Sequence, residues 1–222
     1  MSRPFQSSNE KITIVYEDEF LLVVNKPSLL LSVPGRGEAK QDCLISRLAV
    51  KYPSILTVHR LDWETSGLTV LALDKETQRF LSRQFQERQV YKKYTAVIYG
   101  QPEQDQGEIN LALRCDWDNR PLQMVDHEQG KAAQTYWQII ASPTDSRPLN
   151  NTSRVLLTPI TGRSHQLRVH MLALGHPIIG DPLYAHSEAL NQSERLLLHA
   201  TELEFTHPQH KTQLKFQSCP PF

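Results

Sequence analysis

The 222 residues contain only three cysteines, Cys43, Cys115 and Cys219, widely separated and with no CxxC pair among them. An odd, scattered set of this kind argues against a disulfide framework and a thiolate zinc site, and it suits a reducing cytoplasm. No apolar run approaches the roughly 18 residues that a membrane-spanning helix needs, so no membrane partner is expected. The opening MSRPFQSSNE lacks the apolar stretch of a signal peptide. Excess charge is missing too: 24 Lys and Arg face 24 Asp and Glu, for a formal net charge of zero. A polyanion would therefore have to be met by a local basic patch rather than by bulk charge. Cofactor fingerprints are absent as well. There is no P-loop, no GxGxxG after a strand, no HExxH and no GxSxG. His165 and His170 stand five apart, and His176 six further on, a spacing that fits no common zinc site. The expectation is a protein with no cofactor and no metal, which either binds or does chemistry that side chains can do alone.

A chain of this length buries about 70% of its unfolded surface, so its core needs no staple. Residues 1–10 read as a disordered polar tail. KITIVYEDEFLLVVNKPSLLLSV reads as two strands around an acidic turn, with Pro27 ending the second. Asp42 is placed to cap a short helix, CLISRLAVKY, that Pro53 stops. LTVLALD is a continuous apolar run of the kind a buried strand shows. KETQRFLSRQFQERQ has helical spacing, with Leu81 and Phe85 on one face and Arg79 and Arg83 on another. YKKYTAVIYG, GEINLALR, AAQTYWQIIAS and RVLLTPI follow as strands. SPTDSRPLNNTS reads as a surface loop, and HQLRVHMLAL as a helix stopped by Gly175. LLLHATELEFTHP and TQLKFQS close the chain as a hairpin pair. Strands that follow one another directly favour antiparallel pairing. The fold class is therefore α+β, one domain over 11–222 with a mainly antiparallel, mixed sheet and flanking helices.

One stretch carries chemistry: His59-Arg60-Leu61-Asp62-Trp63-Glu64-Thr65-Ser66-Gly67. A carboxylate flanked by a cation and followed by small polar residues and a glycine sits just before a buried strand. A structural ion pair in a loop would look the same. A second stretch is basic: Arg79, Arg83, Arg88, Lys92 and Lys93 crowd together, while Glu17, Asp18 and Glu19 form an acidic patch elsewhere. On charge alone these residues are a solvated face. Asp62 and Glu64 do not form the DxD pair of an aspartyl phosphatase. They would make a glycosidase pair only if the loop held them about 5–9 Å apart across a sugar.

The run HRLDxxTSG resembles the signature of the RluA-type pseudouridine synthases, and three further pieces appear in that family's order. Asn25-Lys26-Pro27 is similar to its first motif, Lys93-Tyr94-Thr95-Ala96 to its KxYxA motif, and LTPITGRSHQLRVH, Leu157–His170, to its C-terminal motif. VPGR at 33–36, CDWDNRP at 115–121 and the ending RLLLHATELEFTHP also resemble the family, so the likeness runs from about residue 12 to residue 222. Two features depart from it. Trp63 stands where relatives more often have a smaller side chain, which bears on how RNA packs beside the site, and the loop at 143–152 is longer. With the resemblance starting at about residue 12, the S4-like RNA-binding domain that many relatives carry is not expected here.

The resemblance implies a pseudouridine synthase fold with a central active-site cleft. It also implies isomerisation of uridine in structured RNA, with a tRNA anticodon stem-loop and 23S rRNA as the expected partners; a monomer is the default expectation. It casts Asp62 as the catalytic carboxylate, Arg168 as the ion-pair partner that aims it, and Tyr94 as a ring against the target uracil. Arg60 would fill the space left by a flipped base. Lys92, Lys93 and Arg163 would contact phosphates, with Arg79 and Arg83 as weaker candidates. His165 and Gln166 would orient the loop or touch RNA. His59 is expected to lie behind the site, and His199 to be a hydrogen-bonded core residue. The competing expectation is an RNA-binding module that keeps the fold without the catalysis.

Overall fold

The computed structural model describes residues 5–140 and 151–222. In chain order the first elements are β1 (Thr13–Glu17), β2 (Leu21–Lys26), α1 (Leu44–Ala49), β3 (Leu56–Thr57), β4 (Ser66–Ala72), α2 (Lys75–Gln86) and β5 (Tyr91–Tyr99). Then come β6 (Gln106–Asn110), β7 (Leu113–Cys115), β8 (Gln123–Val125), β9 (Gln134–Ile139) and β10 (Thr152–Pro159). The last are α3 (Gln166–Ala173), α4 (Ser187–Leu190), β11 (Leu198–Thr206) and β12 (Gln213–Gln217). These residues group into two compact units, one of 5–92 with 199–221 and one of 93–198 with Phe222.

In the first unit the strands run β1-β2-β4-β11, with β12 beside β11 and β3 beside β4. All pairs are antiparallel except β4 with β11, where His199 faces Ser66 and Ala200 faces Gly67. The unbroken apolar runs of β2 and β4 follow from burial on both faces. Leu21, Val23, Leu68 and Val70 pack toward Leu81 of α2, while Leu22, Val24 and Leu71 pack with Leu44 and Leu48 of α1. Asp74 starts α2 by accepting from the N–H groups of Glu76 (2.8 Å) and Thr77 (2.9 Å). The cap of α1 is Cys43 rather than Asp42. Its sulfur accepts from the Ser46 N–H, and the Ser46 hydroxyl accepts from the Cys43 N–H at 2.9 Å. Asp42 instead takes Arg47 at 2.6 Å.

The expected tail is anchored from Phe5 onward. The Ser8 N–H donates to the Leu29 carbonyl at 2.9 Å, the Ser7 hydroxyl donates to Asp42, and the Phe5 ring lies 5.1 Å from that of Trp63. One aromatic among polar neighbours, together with backbone hydrogen bonds, holds a segment whose composition reads as tail.

In the second unit the ladder is β5-β10-β9-β6, antiparallel throughout. Ala96, Ile98, Trp137, Val155 and Leu157 form its core with Leu167 and Met171 of α3. That helix buries every residue from Gln166 to Met171, so it carries no polar stripe and its polar side chains must be satisfied inside. GEINLALR is not one strand. It is interrupted after Asn110: Leu111 and Leu113 still bond to the 131–133 segment, but the Ala112 carbonyl accepts from the Asp126 N–H, and Leu113–Cys115 also pairs with β8. Most of the expected loop at 143–152 lies outside the described residues.

Candidate active site

Asp62 sits half-buried in the loop between β3 and β4, and Arg60 beside it is exposed. The loop is gripped through its backbone by the segment that follows β2. The Ser32 hydroxyl donates to the Leu61 carbonyl at 2.8 Å and accepts from the Leu61 N–H at 3.1 Å. Ser28 Oγ donates to the Glu64 carbonyl at 2.6 Å. Lys26, wholly buried, donates to the carbonyls of Pro27 (2.8 Å), Leu30 (2.7 Å) and, more weakly, Trp63 (3.4 Å). The two stretches that sequence alone picked out, NKP and HRLD, are thus one piece of structure.

The glycine that ends the second stretch has a steric cause. Gly67 has φ +116° and lies so close to β11 that a Cβ there would come within 2.4 Å of Ala200 backbone atoms. Only glycine suits both conditions.

His59 lies behind this loop. Its Nε2 accepts from the Val70 N–H at 3.1 Å, and its ring stacks on Phe85 at 4.4 Å. Burial, with Lys92 nearby, pushes it down to about 3, so the ring is neutral at physiological pH. Burial also pulls Lys92 below the usual lysine range. His199 bridges Ser66 (2.8 Å) and Ser218 (3.0 Å) and is 1% exposed, a core residue as expected.

In the second unit Arg168 is 2% exposed. It makes a two-pronged pair with Asp181, Nε to Oδ2 at 2.7 Å and Nη2 to Oδ1 at 2.6 Å. Asp181 Oδ1 also accepts from the N–H groups of Leu183 (2.9 Å) and Tyr184 (3.2 Å). The Tyr184 ring lies 5.2 Å from the guanidinium, and its hydroxyl meets His165 Nδ1 at 2.7 Å and accepts from the Gln123 N–H at 2.8 Å. His165 precedes α3 with φ +53°, a left-handed conformation unusual for a non-glycine residue.

Gln166 is 4% exposed, and its amide is spent inside the protein. Its Oε1 accepts from Thr161 Oγ1 (2.7 Å) and Arg163 N–H (3.0 Å), and its Nε2 donates to the Gln134 carbonyl and Thr135 Oγ1, each at 3.0 Å. Of the two roles expected for Gln166, orienting the turn fits and touching RNA does not. Arg163 Nε donates to the Ala132 carbonyl at 3.1 Å, which leaves the rest of its guanidinium outward. Tyr94 faces Leu157 across β5 and β10, half-buried against the core.

The candidates therefore divide. Arg60, Asp62 and Lys92 belong to the first unit. Lys93, Tyr94, Arg163, His165, Gln166 and Arg168 belong to the second, where the last four gather at the start of α3. Sequence reasoning missed Asp181 and Tyr184. A buried arginine demands a carboxylate, and the acid in GDPLY, just after a glycine turn, was the available signal. Among the described residues no group of three or more His, Cys, Asp or Glu side chains is placed to hold a metal, and no helix is long and apolar enough to cross a membrane.

A family model described as RNA pseudouridylate synthase matches residues 20–173, a span that includes Asp62, Tyr94 and Arg168. The chain belongs to that family and is a pseudouridine synthase, an isomerase acting on RNA. Its relatives are specific. The dual-specificity RNA pseudouridine synthase RluA of Salmonella typhi is 52% identical over 206 residues, covering 93% of this chain and 92% of that one. The protein of the same name from Escherichia coli K12 is 51% identical over 207 residues, with the same coverage. Among solved structures, human RNA pseudouridylate synthase domain containing 1 superposes with a TM-score of 0.80 at 31% identity, covering 98% of this chain and 86% of that one. The α+β class and mostly antiparallel sheet expected from sequence are those of the pseudouridine synthase fold.

Proposed function

We propose that the chain isomerises uridines in two RNAs, a tRNA anticodon stem-loop and 23S rRNA, with Asp62 as the catalytic carboxylate and Tyr94 and Arg168 acting with it. The observation that carries the reading is the Asp62 loop itself. A half-buried carboxylate sits on a loop whose peptide groups on either side of it are gripped by neighbouring side chains, so its backbone position is fixed. The names and the 51–52% identity of the RluA relatives support the choice of two RNAs.

The reaction breaks an N-glycosidic bond, turns the uracil over and closes a C–C bond. No electron and no group is donated from outside, so a positioned carboxylate serves as nucleophile or as base. Arg168 is the cation that aims Asp62 in this reading. It comes already locked by Asp181, so it lends charge without freedom to wander. Tyr94 offers the uracil a ring face and a hydroxyl.

A uridine in a folded loop must leave its stack first, at a cost of about a few kcal/mol. Arg60, exposed next to Asp62, fills the gap it leaves. Lys92, Lys93 and Arg163 contact phosphates, and His165 lines the turn beside Arg163. Lys92 suits that role because a partly desolvated ammonium gains most from an anion. The enzyme acts in the cytoplasm as a monomer.

The test is tritium release from [5-³H]uridine-labelled anticodon stem-loop and rRNA fragment, with Asp62→Asn alongside. Release from both RNAs, abolished in the variant, is expected. Release from one alone revises the substrate. Tight binding with no release overturns the catalytic reading in favour of a binding module.

A further inference from the structure

The hairpin β7–β8 presents an aromatic residue for which the protein itself has little use. Trp117 is 64% exposed, although an indole that size normally buries most of its surface. It is not idle either. The Arg120 guanidinium lies 3.9 Å from the ring centroid, so the pair forms an ordered flat surface with a positive charge on it.

The tip is built to hold them. Asp116 N–H donates to the Leu122 carbonyl and Leu122 N–H to that of Asn119, each at 3.0 Å, while Asp116 Oδ2 accepts from Asn119 Nδ2 at 3.0 Å. The neighbouring acids are largely spent. Asp116 is bound to Asn119. Asp126 takes Arg114 at 2.5 Å and the N–H groups of Glu128 and Gln129, which hold it down to about 2. Asp118 is exposed at the tip and makes no ion pair with Arg120. Among the described residues no carboxylate pairs with Arg120, so its N–H groups are available for a phosphate.

The base of the hairpin is tied to the segment that carries the other RNA candidates. Gln123 N–H donates to the Tyr184 hydroxyl, which also meets His165, and the strand bridge at Lys131 leads to Ala132, whose carbonyl takes Arg163. An exposed aromatic face with an uncompensated cation, on a firm mount beside Arg163, has the chemistry of a single-stranded nucleic acid contact.

We propose that Trp117 and Arg120 form a second RNA contact, in which an unpaired nucleotide outside the reacting position stacks on the indole while Arg120 holds its phosphate. This rests on the synthase reading above and deepens it: the platform selects RNA by the presence of a splayed base other than the reacting one.

The experiment uses the full chain and the two labelled RNAs. Stacking of one base on an aromatic ring is worth roughly 10-fold or more in affinity. Trp117→Ala is expected to raise Kd and KM by about that factor on at least one RNA, with any change in kcat smaller, and Trp117→Phe is expected to recover most of it. Arg120→Gln is expected to weaken binding and to reduce the salt slope by about one. RNA should shield Trp117 from acrylamide, read as the quenching difference between the wild type and Trp117→Phe. Unchanged Kd and KM in Trp117→Ala, with a normal melting temperature, overturn the proposal. So does an indole that remains as accessible in the complex as alone. A Trp117→Ala effect confined to self-association assigns the surface to a protein contact and overturns it too. Wild-type protein that binds RNA without releasing tritium defeats the synthase reading instead, and the affinity and quenching measurements then decide the platform by themselves.

Discussion

Around Asp62 the supports are directed at backbone: two serine hydroxyls and one buried ammonium grip the peptide groups of Leu61, Trp63 and Glu64. Around Arg168 they run from side chain to side chain, a guanidinium against the carboxylate of Asp181 with the Tyr184 ring beside it. A clamp on peptide groups is indifferent to what the gripped residues carry. That is how the loop accommodates Trp63, which the family resemblance does not lead one to expect, and gives it Phe5 as a neighbour. A side-chain pair has no such tolerance, since both identities are the interaction. The Asp62 loop should therefore fail gradually when its supports are trimmed, and the Arg168 site abruptly.

The abrupt failure is tested first. Asp181→Asn keeps an oxygen for the N–H groups of Leu183 and Tyr184 but removes the charge that balances a 2% exposed arginine. Breaking a buried pair from one side costs about 3–5 kcal/mol. The expected result in urea denaturation is a loss of that size, with activity gone. Adding Arg168→Met should restore much of the stability and none of the activity. A loss under about 1 kcal/mol from Asp181→Asn alone would erase the contrast between the units.

The next effect compares the units through acid. Each holds a histidine that desolvation keeps neutral: half-buried His59 in the first, and fully buried His170 in the second, bonded to Thr135 Oγ1 at 2.9 Å. A histidine lowered on folding adds no pH dependence above its unfolded value near 6.5. Below that, the unfolded chain takes up a proton that the folded one refuses, so stability falls until pH reaches the folded value. With His59 at about 3, the loss between about pH 7 and pH 5 is about 2 kcal/mol. His59→Gln should remove that increment from the pH dependence, and the wild-type His59 ring should show no imidazole titration by NMR above about pH 4. A ring that titrates near 6 would mean that Lys92 and Phe85 do not seal it.

Legibility in sequence follows the same division. LTVLALD announced β4 because burial on both faces leaves an unbroken apolar run, and helical spacing announced α2 with Leu81 inward. HRLDxxTSG was readable through its resemblance to the family signature, while the steric reason for its glycine, the approach of Ala200 from far along the chain, was not. Interactions that join distant, non-periodic positions were not readable. Asp181 lies 13 residues past Arg168 in a stretch of turns, Ser32 reaches Leu61 across 29 residues, and Phe5 finds Trp63 from a segment of polar composition. The split of GEINLALR escaped for a related reason. Its apolar alternation continues through the break, which shows only where the Ala112 carbonyl turns to the Asp126 N–H, a partner further along the chain.

The smallest effect is the most discriminating about the Asp62 loop. Ser32→Ala removes a hydroxyl that both donates to and accepts from Leu61, leaving a buried N–H and carbonyl to find other partners. The stability cost should be about 1–2 kcal/mol, well below that of Asp181→Asn. Because the Ser32 hydroxyl bonds to the Leu61 backbone, RNA affinity should hardly move, and the damage should fall on kcat as Asp62 loses its fixed aim. Ser32→Thr, which keeps the hydroxyl, should recover part of that loss. A Ser32→Ala variant with lowered RNA affinity and normal kcat would show that the clamp shapes a binding surface rather than aiming a carboxylate. An unchanged variant would mean that Ser28 and Lys26 hold the loop without it.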